Sequence, residues 1–227
     1  MKPVVIASNM YNEIERLPRW FNWVKKIADG GILIVDSGST DGTIEYAEKQ
    51  GAVVVVDPII RTEGYGPARN QLRELSRKHF PESHWCTYFD ADEDILEEDF
   101  HIFRWTKDYL IYDYDVVAFP RIDWHDWERT KAENDFRCAP DWQARMTRLN
   151  SSCKYIRRLH ENIVDFKNIY CNHMSPKINH YHRAVKDKRT DIGKLCAYLH
   201  SIDEMKDTYP EHHKEAYYRE LLEKEGL

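Results

Sequence analysis

Apolar runs at Val4–Ala7, Ile32–Val35 and Val53–Val56, and a fourth, Trp85–Phe89, broken only by Thr87, alternate with helical patterns through the first 120 residues. Such runs suit strands buried on both faces, which need helices packed above and below them. Between the first two, Ile14, Leu17, Phe21, Val24 and Ile27 recur at helical spacing with Pro18 in the first turn, and Gly30-Gly31 stops the helix. Ser39-Thr40-Asp41 can cap a short helix through Glu48, and Gly51 suits its end. Pro67 opens another helix with Leu72 and Leu75 on its inner face; a helix over 97–110 and a fifth strand over 115–120 follow. The expected fold class is α/β, a mostly parallel central sheet flanked by helices.

In such sheets ligands bind beyond the carboxyl ends of the strands. The unusual polar residues fall there: Asn9 to Glu13, Asp36 to Asp41, and Asp90 to Asp94. After residue 120 the pattern changes. Trp124-His125-Asp126-Trp127 through Asn134 reads as a loop or lid, and 141–182 as short mixed segments rich in Arg, His and Tyr. Ile192, Leu195, Cys196, Leu199 and Ile202 give a helix, and a charged helix is expected near 211–224. We expect one domain over 1–227: a ligand-binding part at 1–120, a second-substrate part at 121–185, and C-terminal helices at 186–227.

Hydrophobic residues at 42% and charged residues at 32% describe a soluble globular chain. The net charge of -6 argues against a nucleic-acid partner. The five cysteines form no CxxC pair, so buried free thiols in a reducing compartment are expected rather than a zinc site or disulfide framework. Neither a signal peptide nor a spanning helix is expected. The chain reads as cytoplasmic, with any membrane contact peripheral.

The sharpest chemical feature is Phe89-Asp90-Ala91-Asp92-Glu93. Two carboxylates one residue apart at a strand end can reach one hard cation, Mn²⁺ or Mg²⁺, and bridge it to phosphate oxygens. A DxD triplet alone is common by chance. The second feature is Val35-Asp36-Ser37-Gly38-Ser39-Thr40-Asp41-Gly42-Thr43, where Asp36 can accept hydrogen bonds from a ribose or base; it also reads as a capped strand-to-helix turn.

Together, with Asn12-Glu13 before them and Ala68-Arg69-Asn70 between them, these segments resemble the family 2 glycosyltransferases, which have the GT-A fold. Downstream, Pro140-Asp141-Trp142-Gln143-Ala144-Arg145, His160-Glu161 and His180-Tyr181 are similar to a subgroup resembling lipopolysaccharide-core glucosyltransferases. The resemblance implies inverting, metal-dependent transfer of a sugar from a nucleotide-diphosphate donor, a UDP-sugar by preference, to a hydroxyl of a saccharide or glycan. Many members carry two aspartates where this chain has Asp36-Ser37. The implied metal ligands are Asp90, Asp92 and His180. Asn9, Glu13, Asp36, Ser37, Arg69, Asp90 and Ala91 would contact the donor, with Arg69 on a phosphate or the base. The catalytic base is Asp141 or Glu161, and His160 orients a carboxylate, binds phosphate or is a satisfied structural histidine. Trp124, Trp127 and Trp142 are candidates for stacking on an acceptor sugar or for core packing.

Other chemistries are poorly matched. Gly64-Tyr65-Gly66-Pro67-Ala68-Arg69 imitates a dinucleotide fingerprint, but after the third strand and with Arg in place of the third glycine. Neither a P-loop nor a triphosphate-binding glycine loop occurs. The competing expectation is a catalytically silent sugar- or nucleotide-binding protein on the same scaffold.

Overall fold

The computed structural model describes residues 1–132, 141–158, 161–181 and Glu223. The expected helices over 187–202 and 211–224, together with Pro140, His160, Cys138 and Cys196, lie outside the described residues.

The chain is α/β. In order come β1 (Val4–Met10), α1 (Leu17–Val24), β2 (Gly31–Asp36), α2 (Thr43–Lys49), β3 (Val53–Val56), α3 (Ile59–Thr62), α4 (Tyr65–His79), β4 (Trp85–Tyr88) and β5 (Glu93–Asp94). Then follow α5 (Phe100–Tyr109), β6 (Val116–Asp123), β7 (Asp141–Arg148), β8 (Lys154–Ile156), β9 (Asn162–Val164), β10 (Ile169–Cys171) and β11 (Ile178–His180). Among the described residues one sheet runs β3-β2-β1-β4-β7-β6-β11-β5, with β10 also beside β6, and β8 pairs with β9 separately.

β3, β2, β1 and β4 are parallel, whereas β7 is antiparallel to both β4 and β6. Two reversals cancel, so β6 points the same way as β4, and β11 is parallel to β6. The carboxyl ends of β1, β2, β4, β6 and β11 therefore share one edge with the amino end of β7.

Both faces of the sheet are covered, as the apolar runs demand. Along β1, Val4 and Ile6 join Trp20, Phe21, Trp23, Phe89 and Phe103 on the α1 and α5 side. Val5 and Ala7 join Leu33, Val35, Leu72, Tyr88 and Tyr155 on the α4 side. Each fully buried large side chain contributes roughly 1.5–3 kcal/mol.

Several boundaries differ from the sequence reading for identifiable reasons. The helix expected from Ile14 starts at Leu17, after a turn in which the Arg16 and Leu17 N–H groups both donate to the Glu13 carbonyl, while the N–H groups of Asn12, Glu13 and Ile14 donate to the Ser39, Thr43 and Asp41 side chains. Gly42, not Ser39 to Asp41, is the cap residue of α2, while Asp41 receives the Thr43 N–H. The fifth strand, β6, runs on to Asp123 because it is paired along its length by β7 and then β11. Residues 141–148 are an eight-residue strand rather than a short mixed segment.

Polar residues are not confined to one edge either. At the opposite edge the buried Lys107 ammonium meets Asp29, Asp108 and the Lys2 carbonyl, and Asp115 accepts from Arg148 and the Lys167 N–H. Of the described cysteines, Cys86 and Cys153 are buried free thiols and Cys171 is exposed. Among the described residues no helix is long and apolar enough to cross a membrane.

The start of α4 is docked onto the segment after β8: Tyr65 and Gly66 donate their N–H groups to the carbonyls of Arg158 and Arg157. A Cβ on Gly66 would stand 2.4 Å from the Arg157 oxygen, so only glycine permits this approach. We expect Gly66→Ala to lower stability by about 1–3 kcal/mol in thermal or urea unfolding. An unchanged transition would show that the docking is dispensable.

Candidate active site

The loops beyond β1 and β2 are stitched to each other before they can hold anything else. Asn12 accepts the Thr40 N–H on its side-chain oxygen and gives its own N–H to Ser39, from a left-handed backbone at φ 54°. Asp36 is fully buried; one of its carboxylate oxygens accepts the Gly38 and Ser39 N–H groups and the other the Ser39 hydroxyl. Gly38, at φ +91°, makes that turn, and nothing lies within 4 Å of where its Cβ would be. Asp36 thus builds the loop. Among the described residues, the groups left without a partner are its neighbours: the buried Ser37 hydroxyl and both polar atoms of the Asn9 amide. Glu13 is paired with Arg16.

The turn after β4 is a charge cluster closed by two arginines. Arg69, reaching down from α4, donates to Asp90 at 3.0 Å and stands 3.6 Å from Glu161. Arg145, from β7, contacts Asp90 at 3.4 Å and Glu93 at 2.5 Å. Glu93 has no exposed side-chain surface and also accepts the Asp90 N–H. Burial works against the charge on Asp90, yet Arg69 and Arg145 outweigh it and hold the carboxyl far below its usual range. Glu93 moves upward, because burial and the nearby Asp90 outweigh what Arg145 returns. Arg69 keeps one terminal nitrogen buried and unpartnered among the described residues. Ala91 packs, partly buried, against the apolar core.

Two residues along, Asp92 faces His180 from the end of β11, with Nε2 3.5 Å from the carboxylate. The opposite ring nitrogen, Nδ1, lies 2.5 Å from Asp123 at the end of β6. Burial disfavours a charged ring, but the hydrogen bonds to Asp123 and Asp92 outweigh it and push the imidazole pKa up to about 10. Asp92 itself is lowered, burial notwithstanding, by the same histidine. Arg121 bridges onward, 3.5 Å from Asp123 and 2.7 Å from Asp141, whose other oxygen accepts from Gln143 at 2.8 Å.

A clasp holds this corner shut. Trp127 stacks on Tyr181 at 4.6 Å, and the Arg19 guanidinium lies within 4.2 Å of both rings while pairing with Asp94. Tyr181 gives its hydroxyl to Asp94 and its N–H to the Asp92 carbonyl. The three tryptophans singled out from the sequence therefore have separate partners: Trp124 donates to Asn179, and Trp142 meets His173 edge-on.

Of the residues expected at the site, Arg69, Asp90 and Glu161 form one group. Asp92 and His180 form a second, Asn9, Asp36 and Ser37 line the first two strand ends, and Asp141 stands beyond Arg121. Sequence reasoning assigned no role to Glu93, Arg145, Arg121 or Asp123. The first two sit inside quoted motifs, but Asp123 lies past the expected end of its strand and carried no signal.

Among the described residues no three His, Cys, Asp or Glu side chains converge as a ready-made metal cage. Asp90, one of the three expected ligands, is turned to the arginines, whereas Asp92 and His180 face each other. Mg²⁺-type ions are held by one or two carboxylates plus substrate phosphates, and Asp92 beside His180 offers a carboxylate together with an imidazole at this strand edge, 3.5 Å apart.

Residues 6–174 match the family model described as Glycosyl transferase family 2. An uncharacterized glycosyltransferase of Rickettsia conorii, RC0292, is 40% identical over 91 residues, covering 38% of this chain and 28% of that protein. One from Rickettsia felis is 38% identical over 91 residues with the same coverage. The match thus spans little more than a quarter of those relatives. Among solved structures, Staphylococcus aureus TarS aligns over 98% of this chain and 42% of its own at 13% identity, TM-score 0.49. Glucosyl-3-phosphoglycerate synthase of Mycobacterium tuberculosis, crystallised with Mn²⁺, UDP and glucosyl-3-phosphoglycerate, aligns over 53% of this chain and 44% of its own at 19% identity, TM-score 0.39.

The Glu93–Arg145 pair is the most deeply enclosed of the charges in this cluster. Removing one partner of a buried pair strands the other, so Glu93→Ala should cost about 3 kcal/mol, on the order of 10 °C in Tm for a chain of this size. A loss below about 1 kcal/mol would mean that water already compensates Arg145.

Proposed function

The chain belongs to glycosyl transferase family 2, and we propose that it moves a sugar from a nucleotide-diphosphate donor onto a hydroxyl of a saccharide or glycan acceptor, inverting the anomeric carbon. The donor proposed is a UDP-sugar, and the acceptor class follows the likeness to the lipopolysaccharide-core glucosyltransferases. The observation that carries this reading is the meeting of Asp92 with His180 beside the Arg69–Asp90 pair, at the strand edge where α/β sheets bind ligands.

A bound divalent ion, Mn²⁺ or Mg²⁺, supplies Lewis-acid stabilisation of the departing diphosphate. Asp92 and His180, with Asp90, are the residues that would hold it. Arg69, with its unpartnered nitrogen, meets phosphate charge, and the Ser37 hydroxyl and Asn9 amide offer donors and acceptors to the nucleoside. Asp141 is the proposed base: at 40% side-chain exposure it is open to an incoming hydroxyl. It takes the acceptor proton as that oxygen bonds to the anomeric carbon and the bond to the diphosphate breaks. Glu161, against Arg69, is better placed to hold that arginine than to meet an acceptor. On this reading 1–120 is the donor side, and 121–185 brings the acceptor side together with His180. We place the reaction in the cytoplasm, with any membrane contact peripheral.

The test is release of nucleoside diphosphate from UDP-, GDP- and dTDP-sugars with and without Mn²⁺. We expect slow Mn²⁺-dependent UDP release, reduced on the order of 100-fold or more in Asp92→Asn and abolished by EDTA. Nucleotide-sugar binding, seen as a raised Tm, without turnover would favour the silent binding protein. The second reading has one observation on its side, the engagement of Asp90 by two arginines.

A further inference from the structure

His180 and Asp123 come from strands separated by more than fifty residues, yet the parallel register of β6 and β11 sets them directly side by side. Their backbones are fixed as well. The Trp124 N–H donates to the His180 carbonyl at 2.8 Å, and the Tyr181 N–H to that of Asp92 at 2.9 Å. The histidine has two nitrogens with different jobs: Nδ1 is held at 2.5 Å by the Asp123 carboxylate, and Nε2 points at Asp92. Arg121 in turn touches both Asp123 and Asp141.

We propose that Asp123 is a positioning residue: its carboxylate takes the Nδ1–H of His180 and fixes the ring so that Nε2 faces the space shared with Asp92. This rests on the metal-dependent reading above and adds a residue to it. A neutral imidazole ligates through one nitrogen only if the other carries the proton, and a carboxylate on that other nitrogen both selects the tautomer and strengthens the ligand. Arg121 extends the arrangement: one guanidinium orients the carboxylate behind the metal-side histidine and the carboxylate proposed as base, tying together groups from β6, β7 and β11.

The test is Mn²⁺ affinity, read by electron paramagnetic resonance of free Mn²⁺, alone and with UDP, in wild type, Asp123→Ala, Asp123→Asn, His180→Ala and Asp123→Ala/His180→Ala. Melting curves establish that each variant is folded. Asp123→Ala should weaken Mn²⁺ binding roughly 10–100-fold. The isosteric Asp123→Asn should fall between it and wild type. In the His180→Ala background, Asp123→Ala should add nothing, since its effect passes through the ring. Wild-type affinity in folded Asp123→Ala or Asp123→Asn, or losses that multiply in the double variant, would overturn the proposal while leaving the metal-dependent reading intact. Wild type that binds no Mn²⁺ even with UDP would overturn that reading, and the role of Asp123 with it.

Discussion

The turn after β4 gathers Asp90, Asp92, Glu93 and Asp94 within five residues, and so much negative charge can be enclosed only if cations are brought to it. Arg145 does this from β7, the one strand wedged antiparallel between β4 and β6, and Arg69 does it from α4 on the face above. Much of the site geometry follows. With Arg145 under Glu93, Asp90 is drawn to the arginines, and Asp92 is left facing β11. The antiparallel insertion of β7 also restores β6 and β11 to the direction of β4, which is why Asp123 and His180 arrive at the same edge.

Both ends of the sheet carry buried charge. At the amino edge Lys107 is surrounded by Asp29, Asp108 and a backbone carbonyl, and Asp115 by Arg148 and Lys167. Those groups close on one another and hold strand starts in place. At the carboxyl edge the Ser37 hydroxyl, the Asn9 amide and one Arg69 nitrogen lack partners among the described residues. Unsatisfied buried polar groups are costly, and at this edge a ligand's hydrogen bonds can reach them.

Much of the first half was legible in the chain. Val53–Val56 has the bounds read from its apolar run, and β1, β2 and β4 differ by one to three residues at an end. The segments after β1, β2 and β4 reach the common edge as their positions implied. The second half was much less legible. Residues 141–148, with Asp, Gln and Arg at alternating positions, do not look like a central strand, because their charged side chains are matched by Asp90, Glu93 and Arg121 from elsewhere. Asp36, read as a candidate ligand contact and as part of a capped turn, holds that turn through its carboxylate.

By itself the sequence determined what periodicity and short motifs can encode: a layered α/β chain, the strands that end in polar loops, and the DxD and Asp36–Thr43 segments carrying the family likeness. These are local properties, fixed by the side-chain alternation of strands, the helical repeat and the turn chemistry of glycine, serine and aspartate. Which carboxylate meets which cation was decided only by the tertiary structure. Asp92 with His180, His180 with Asp123 and Glu93 with Arg145 are pairings across strands far apart in the chain, set by sheet order, direction and register. Those depend on how the whole set of strands packs, and a single residue spacing does not record them.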